Sequence, residues 1–196
     1  MIRQGKERDK EILMQLWSRC FPQDLDSFIR FYFANVFKKE EVLVYIEKGR
    51  LVASLQVIPY KIEKKNGISQ GGYISGAMTH PDYRKKGYMD KLLKASFDEM
   101  IKKGYDYTFL IPQEEGLTGM YEKYGFRRCK PNRQTVENKV LKNPEQWSII
   151  RQNYFNENGI WLKEEPFVPN EHKGMIKCLN TKAEEITTLY MGMMLD

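Results

Sequence analysis

With 41% hydrophobic and 30% charged side chains, the 196-residue chain carries enough apolar material for a real core, which excludes a disordered tail protein. Its net charge of +6 gathers largely in Lys61–Lys65, Arg84–Lys86, Lys102–Lys103 and Arg127–Arg133, and fits either nucleic acid or a polyanionic small ligand. Cys20, Cys129 and Cys178 lie far apart, as reduced thiols do, and with only His80 and His172 besides no zinc pattern forms, so no metal is expected.

The N-terminal run MIRQGKERDK holds no apolar segment of the signal-peptide kind, and no stretch of about 18 apolar residues follows, so a cytoplasmic protein without a membrane partner is expected. Residues 6–19 place Ile12, Leu13, Leu16 and Trp17 at helical spacing. A second helical pattern, Leu25, Phe28, Ile29, Tyr32, Phe33 and Val36, follows Pro22 and opens at Asp24 and Asp26. From residue 42 the pattern becomes that of strands. Val42–Ile46 predicts one strand, Glu47-Lys48-Gly49-Arg50 a turn, and Leu51–Ile62 a long second strand. Asn66-Gly67 predicts a hairpin, and Ile68–Met78 returns as the next strand of an antiparallel meander. Gly71, Gly72 and Gly76 within it predict a bulge or a close backbone approach.

The sharpest helical pattern is Met89, Leu92, Leu93, Ser96, Phe97, Met100 and Ile101, stopped by Gly104. Tyr105–Ile111 then reads as a strand, so strand, helix and strand form a βαβ unit with its two strands parallel. Leu117–Tyr124 predicts a short helix capped by Gly125, and Phe126 opens a β-like stretch to about Val140. Further on, Pro144–Phe155 reads as a helix, Gly174–Leu179 as a strand and Ala183–Met191 as a last helix. One α/β domain over 1–196 is expected, with about seven strands, its motifs in 1–140 and its completion in 141–196.

Between the strand and the sharp helix runs Thr79-His80-Pro81-Asp82-Tyr83-Arg84-Lys85-Lys86-Gly87-Tyr88-Met89, a basic turn with a glycine directly before a helix. The first N–H groups of a helix lack internal partners and its dipole adds positive charge there, so a pyrophosphate is a natural ligand. Gly87 lets the backbone approach such a ligand, and Lys85 and Lys86 add charge. An ordinary basic turn would read the same way. The segment is neither a P-loop nor a dinucleotide fingerprint, since its glycines stand elsewhere.

Pro81-x-Tyr83-Arg84-x-x-Gly87, followed by a helix with Leu92-Leu93, resembles motif A of the GNAT acetyltransferases, Arg/Gln-x-x-Gly-x-Gly/Ala. Met120-Tyr121-Glu122-Lys123-Tyr124-Gly125-Phe126, about forty residues on, resembles their second signature, Tyr-x-x-x-Gly-Phe. The ordered pair carries more than either motif. Met89 departs from the family's usual Gly or Ala, a substitution that the similar Eis-type subgroup also tolerates. The 196 residues do not reach that subgroup's additional domains, so its substrate is not carried over. The resemblance implies a mixed, mostly antiparallel α/β sheet with a βαβ cofactor unit and helices on both faces.

It also implies acetyl-coenzyme A as co-substrate and direct transfer to a primary amine on a small molecule or peptide. The pyrophosphate would meet the amides of Arg84, Lys85, Lys86, Gly87, Tyr88 and Met89. Backbone of Ala77, Met78 and Thr79 would pair with the pantetheine arm, with one amide facing the thioester oxygen. Tyr121 is the expected general acid, since a phenol stays protonated at neutral pH and can donate to a thiolate. Tyr124 is the next candidate, and each of the two also reads as a core aromatic. The base is not assigned. Glu114 and Glu115 follow the strand near the expected thioester, His80 reads as a turn residue, and the apolar end Tyr190–Asp196 brings a terminal carboxylate. An acyl-coenzyme A-binding module without turnover and a basic nucleic-acid-binding domain remain the alternatives. Oligomeric state is left open, a homodimer included.

Overall fold

The computed structural model describes residues 1–64, 67–129, 140–141, 174–183 and 186. A short strand, β1 (Ile2–Gln4), opens the chain, where no strand was expected. A single 3-10 turn over Glu7–Asp9 then leads into α1 (Lys10–Cys20), which starts four residues later than the sequence pattern implied. α2 (Asp26–Asn35) follows, then β2 (Val42–Glu47), β3 (Arg50–Lys64), β4 (Gly67–Thr79), α3 (Tyr88–Lys102) and β5 (Tyr107–Leu110). After these come α4 (Thr118–Glu122), β6 (Arg127–Arg128), β7 (Val140–Leu141) and β8 (Met175–Cys178). The strands run in the order β1-β2-β3-β4-β5-β8-β6, seven along this path, with β7 pairing β3. β1–β2, β2–β3, β3–β7, β5–β8 and β6–β8 are antiparallel, and β4–β5 is parallel, as the strand–helix–strand reading required. This is the expected mixed α/β class.

The helix expected over 144–155, most of the one over 183–191, most of the β-like stretch up to Val140, Asn66 and the C-terminal residues 190–196 lie outside the described residues.

Two compact units divide the chain. The first holds, of the described residues, Met1–Ile58 and Ile74–Asp98; the second holds those within Pro59–Tyr73, Glu99–Lys142 and Lys163–Asp196. In the first unit Val42, Leu43, Val44 and Tyr45 are all buried, as befits a strand covered on both sides. Strand alternation shows which helix covers which side. Gln56 stands opposite Val42 and Tyr45 opposite Ala53, so Gln56 and Tyr45 point to opposite faces. Gln56 Oε1 accepts the Tyr32 hydroxyl of α2 at 2.7 Å, whereas Tyr45 stacks on Tyr88 of α3, with centroids 4.5 Å apart. Helices therefore lie on both faces, as expected. On the α2 side Trp17 meets Phe21, Tyr32 and Phe33 within 6 Å, and its indole N–H donates to Asp24 at 2.6 Å. Asp24 thus ties the α1–α2 turn to α1, while α2 itself begins at Asp26.

In the second unit β4 meets β5 at Gly71↔Tyr107, Gly72↔Thr108 and Tyr73↔Phe109. Tyr60, Tyr73 and Phe109 form its aromatic centre, with centroids 5.4–6.0 Å apart. Gly71 supplies the close approach expected in this strand. A Cβ there would sit 2.7 Å from Ile62 Cδ1 and 3.1 Å from Phe109, so any larger residue overpacks the centre. Gly76, in the first unit, supplies the irregularity: its φ of 53° is left-handed inside a strand.

Candidate functional site

Beyond Gly76, β4 runs through Ala77, Met78 and Thr79, of which Met78 is buried and the other two are half-buried. With the Met78 side chain in the core, a ligand there would meet β4 through its backbone. The strand ends where the His80 N–H donates to Val52 O at 2.9 Å. Pro81–Tyr83 then makes one 3-10 turn, a step that the fixed φ of proline at a first helical position favours. Arg84 is extended, and its Nε donates to Thr79 O at 3.3 Å, strapping the outgoing loop to the end of β4.

Lys85 and Gly87 both adopt left-handed backbone, with φ of 62° and 74°, and α3 begins at the next residue, Tyr88. Left-handed residues that alternate with right-handed ones turn successive N–H groups toward one side, in concavities that suit anions, and a helix N-terminus adds its dipole. A Cβ built on Gly87 meets nothing within 4 Å, so the space over this backbone is open. The glycine is needed for its conformation and for what would lie above it. Arg84, Lys85, Lys86 and Gly87 are exposed, and the Lys86 ammonium lies 4.8 Å from the Tyr83 ring centre, within cation–π range. Tyr88 is fixed by its stack on Tyr45, a contact worth about 0.5–1.5 kcal/mol beyond burial, and Met89 is half-buried. The residues expected to hold a cofactor, Ala77–Thr79 and Arg84–Met89, thus form one continuous strand-end, loop and helix-start in the first unit.

Tyr121 lies on α4 in the second unit, which also holds Tyr124, Glu114 and Glu115 outside that helix. It is buried, its ring meets Phe126 edge-on at 5.8 Å, and burial raises its phenol above the ordinary value of 10.0. Gly125, with φ 84°, ends the turn after α4, as the Tyr-Gly-Phe sequence implied. Tyr124 is half-buried, and its carbonyl accepts from Lys177 Nζ at 2.6 Å. Glu115 is paired with Arg128 at 2.6 Å, while Glu114 is exposed. His80 is the turn residue it was expected to be, with its Nδ1 3.3 Å from the Asp82 N–H. Sequence reasoning missed Arg19, whose Nη1 lies 2.6 Å from His80 Nε2 across 61 residues. No local signal could have found that pair.

Among known families, the acetyltransferase (GNAT) domain model matches residues 1–129. The chain belongs to the GNAT family. Both family-like motifs, Pro81–Met89 and Met120–Phe126, fall inside the matched span. No curated protein matches the chain. Solved structures share the fold at low identity. A GCN5-related N-acetyltransferase from Anabaena variabilis is 15% identical with a TM-score of 0.58, over 66% of this chain and 32% of that one. Eis1 from Mycobacterium abscessus is 13% identical with a TM-score of 0.58, over 66% and 32% respectively. N-acetylglutamate synthase from Neisseria gonorrhoeae, complexed with coenzyme A and N-acetyl-glutamate, is 14% identical with a TM-score of 0.56, over 92% and 35%. The chain spans about a third of the length of these structures.

Proposed function

We propose that this protein transfers an acetyl group from acetyl-coenzyme A directly to a primary amine on a small-molecule or peptide acceptor. The observation that carries the reading is the Arg84–Met89 loop, with two left-handed residues, a helix N-terminus and open space over Gly87. Family membership and the coenzyme A bound by the Neisseria synthase of the same fold support it.

Bound acetyl-coenzyme A supplies an activated acyl group and a thiolate leaving group. The amides of Lys85, Lys86, Gly87, Tyr88 and Met89 hold its pyrophosphate, whereas the Arg84 N–H, expected to join them, already donates to Pro81 O at 3.2 Å. The Lys85 and Lys86 ammonium groups offset the charge. Backbone of Ala77, Met78 and Thr79 takes the pantetheine amides. The left-handed turn at Gly76 breaks the regular strand just before them, and in this reading one of the amides that follow faces the carbonyl oxygen where negative charge develops. Tyr121 donates its proton to the departing sulfur. The acceptor must arrive as, or become, the neutral amine.

Calorimetric titration of acetyl-coenzyme A tests the cofactor site, using wild type, Gly87→Ala and Gly87→Glu. Alanine at a left-handed position costs about 1–2 kcal/mol of backbone strain but meets no neighbour, so Gly87→Ala controls for strain. Wild type should bind at micromolar affinity and Gly87→Ala somewhat more weakly. Gly87→Glu should lose about 100-fold or more, some 2.7 kcal/mol, because a carboxylate then occupies the phosphate position. No binding by the wild type would overturn the reading. Binding without acetylation of a broad amine panel would turn it into a coenzyme-binding module.

A further inference from the structure

The β2–β3 turn, the end of α1 and the loop before α3 border an open cavity of about 630 Å³ within the first unit. That volume is in the range that small-molecule sites occupy. Its charged lining is Arg19, Lys48, Arg50 and Lys86 against Glu47 and Asp82. Among the described residues none of these four cations has a carboxylate within 4.0 Å.

Hydrogen bonding is as one-sided as charge. His80 Nε2 faces the Arg19 guanidinium at 2.6 Å, and His80 Nδ1 faces the Asp82 N–H at 3.3 Å. A guanidinium and an amide only donate, and a neutral imidazole has a single accepting nitrogen. One of the two donors is therefore left without an acceptor on the ring. Four cations against two carboxylates make the lining complementary to a phosphate group, whose oxygens only accept when ionised. The cavity adjoins the cofactor loop but extends away from it. Of the residues assigned to acetyl-coenzyme A, it touches only Lys86 and Tyr88.

We infer that this cavity binds a small dianion of the phosphomonoester class at a second site, whose occupant weakens acetyl-coenzyme A binding through the shared Lys86. The coupling rests on the proposed cofactor loop, whereas the anion site stands without it. Two anions drawing on one ammonium oppose each other, and linkage makes the effect equal in both directions.

The test is an NMR titration of the 15N-labelled full chain with inorganic phosphate at constant ionic strength, with and without saturating acetyl-coenzyme A. Wild type is compared with the double variant Lys48→Glu/Arg50→Glu. Lys48 on the β2–β3 turn and Arg50 at the start of β3 are both exposed and outside the cofactor loop, so the variant should fold and keep its acetyl-coenzyme A affinity. Phosphate should shift the amides of residues 48–52 and 80–83. Saturating acetyl-coenzyme A should raise the phosphate Kd to a plateau, about fivefold higher. The double variant should weaken phosphate binding about tenfold or more. The proposal is overturned if those amides do not shift, if the variant binds phosphate as well as wild type, or if the phosphate Kd climbs without a plateau. The last outcome would put the anion in the cofactor loop itself. Phosphate binding that depends on Lys48 and Arg50, in a protein that ignores acetyl-coenzyme A, would leave the anion site standing and sink the proposed enzyme.

Discussion

Tyr121 is a phenol whose burial pushes its pKa up from 10.0, so it holds its proton throughout the neutral range. A raised value suits a group that must donate. In the proposed role, Tyr121→Phe should lower kcat by about 100-fold or more while leaving the KM for acetyl-coenzyme A nearly unchanged, as steady-state kinetics would read. The sign of the shift also fixes the pH profile: ionisation of Tyr121 should not reduce kcat below about pH 10, since the folded value lies above the ordinary one. An alkaline fall centred below that pH, absent in Tyr121→Phe, would contradict the assignment. The tyrosine was legible because a short helix ending in Gly-Phe fixes its place. Arg19 and Arg50 were not legible, because a cavity lining is assembled from segments distant in sequence and carries no local pattern.

β1 shows how an element of three residues escapes a reading based on periodicity. Its place is set by a tertiary clamp. Arg3 Nη1 and Nη2 donate to the two oxygens of Asp9 at 2.6 and 2.8 Å, and the Lys6 N–H adds a bond of 2.8 Å. The Asp9 side chain is nearly buried, at 5% exposed, so these bonds are shielded from water. The Arg3 hydrogen bond, against the opposing effect of burial, holds the Asp9 carboxyl below its ordinary 3.8. A depressed folded value stabilises the fold above the ordinary pKa, and the contribution is lost as pH falls through the lowered one. Asp9→Ala should therefore cost about 2 kcal/mol at pH 7 in urea denaturation, with the gap to wild type narrowing as pH is taken below 3.8. A gap independent of pH would mean that the clamp is not ionic. The β4 glycines were legible as a group, but their separate jobs were not. Gly71 is demanded by Ile62 and Phe109 across the sheet, and Gly76 by its own left-handed backbone.

Across the whole molecule the three thiols report on packing. Burial pushes Cys129 up to about 12 and raises Cys20 as well, whereas Cys178 is exposed. A thiolate-directed reagent at pH 8 should modify Cys178 first and Cys20 more slowly, and should reach Cys129 only with unfolding, as mass spectrometry over time would show. Rapid native labelling of Cys129 would contradict the packing around β6. The order of helices and strands, the parallel β4–β5 pair and the family were determined by the sequence itself. Each rests on local causes: hydrophobic period, turn residues, helix stops and two short motifs that need no distant partner. The tertiary structure alone decided that Lys85 and Gly87 are both left-handed and that β1 is a strand. It alone brought Arg19, Arg50 and Lys86 to one cavity, because these depend on which surfaces meet after the chain has collapsed, and no window of neighbouring residues encodes that meeting.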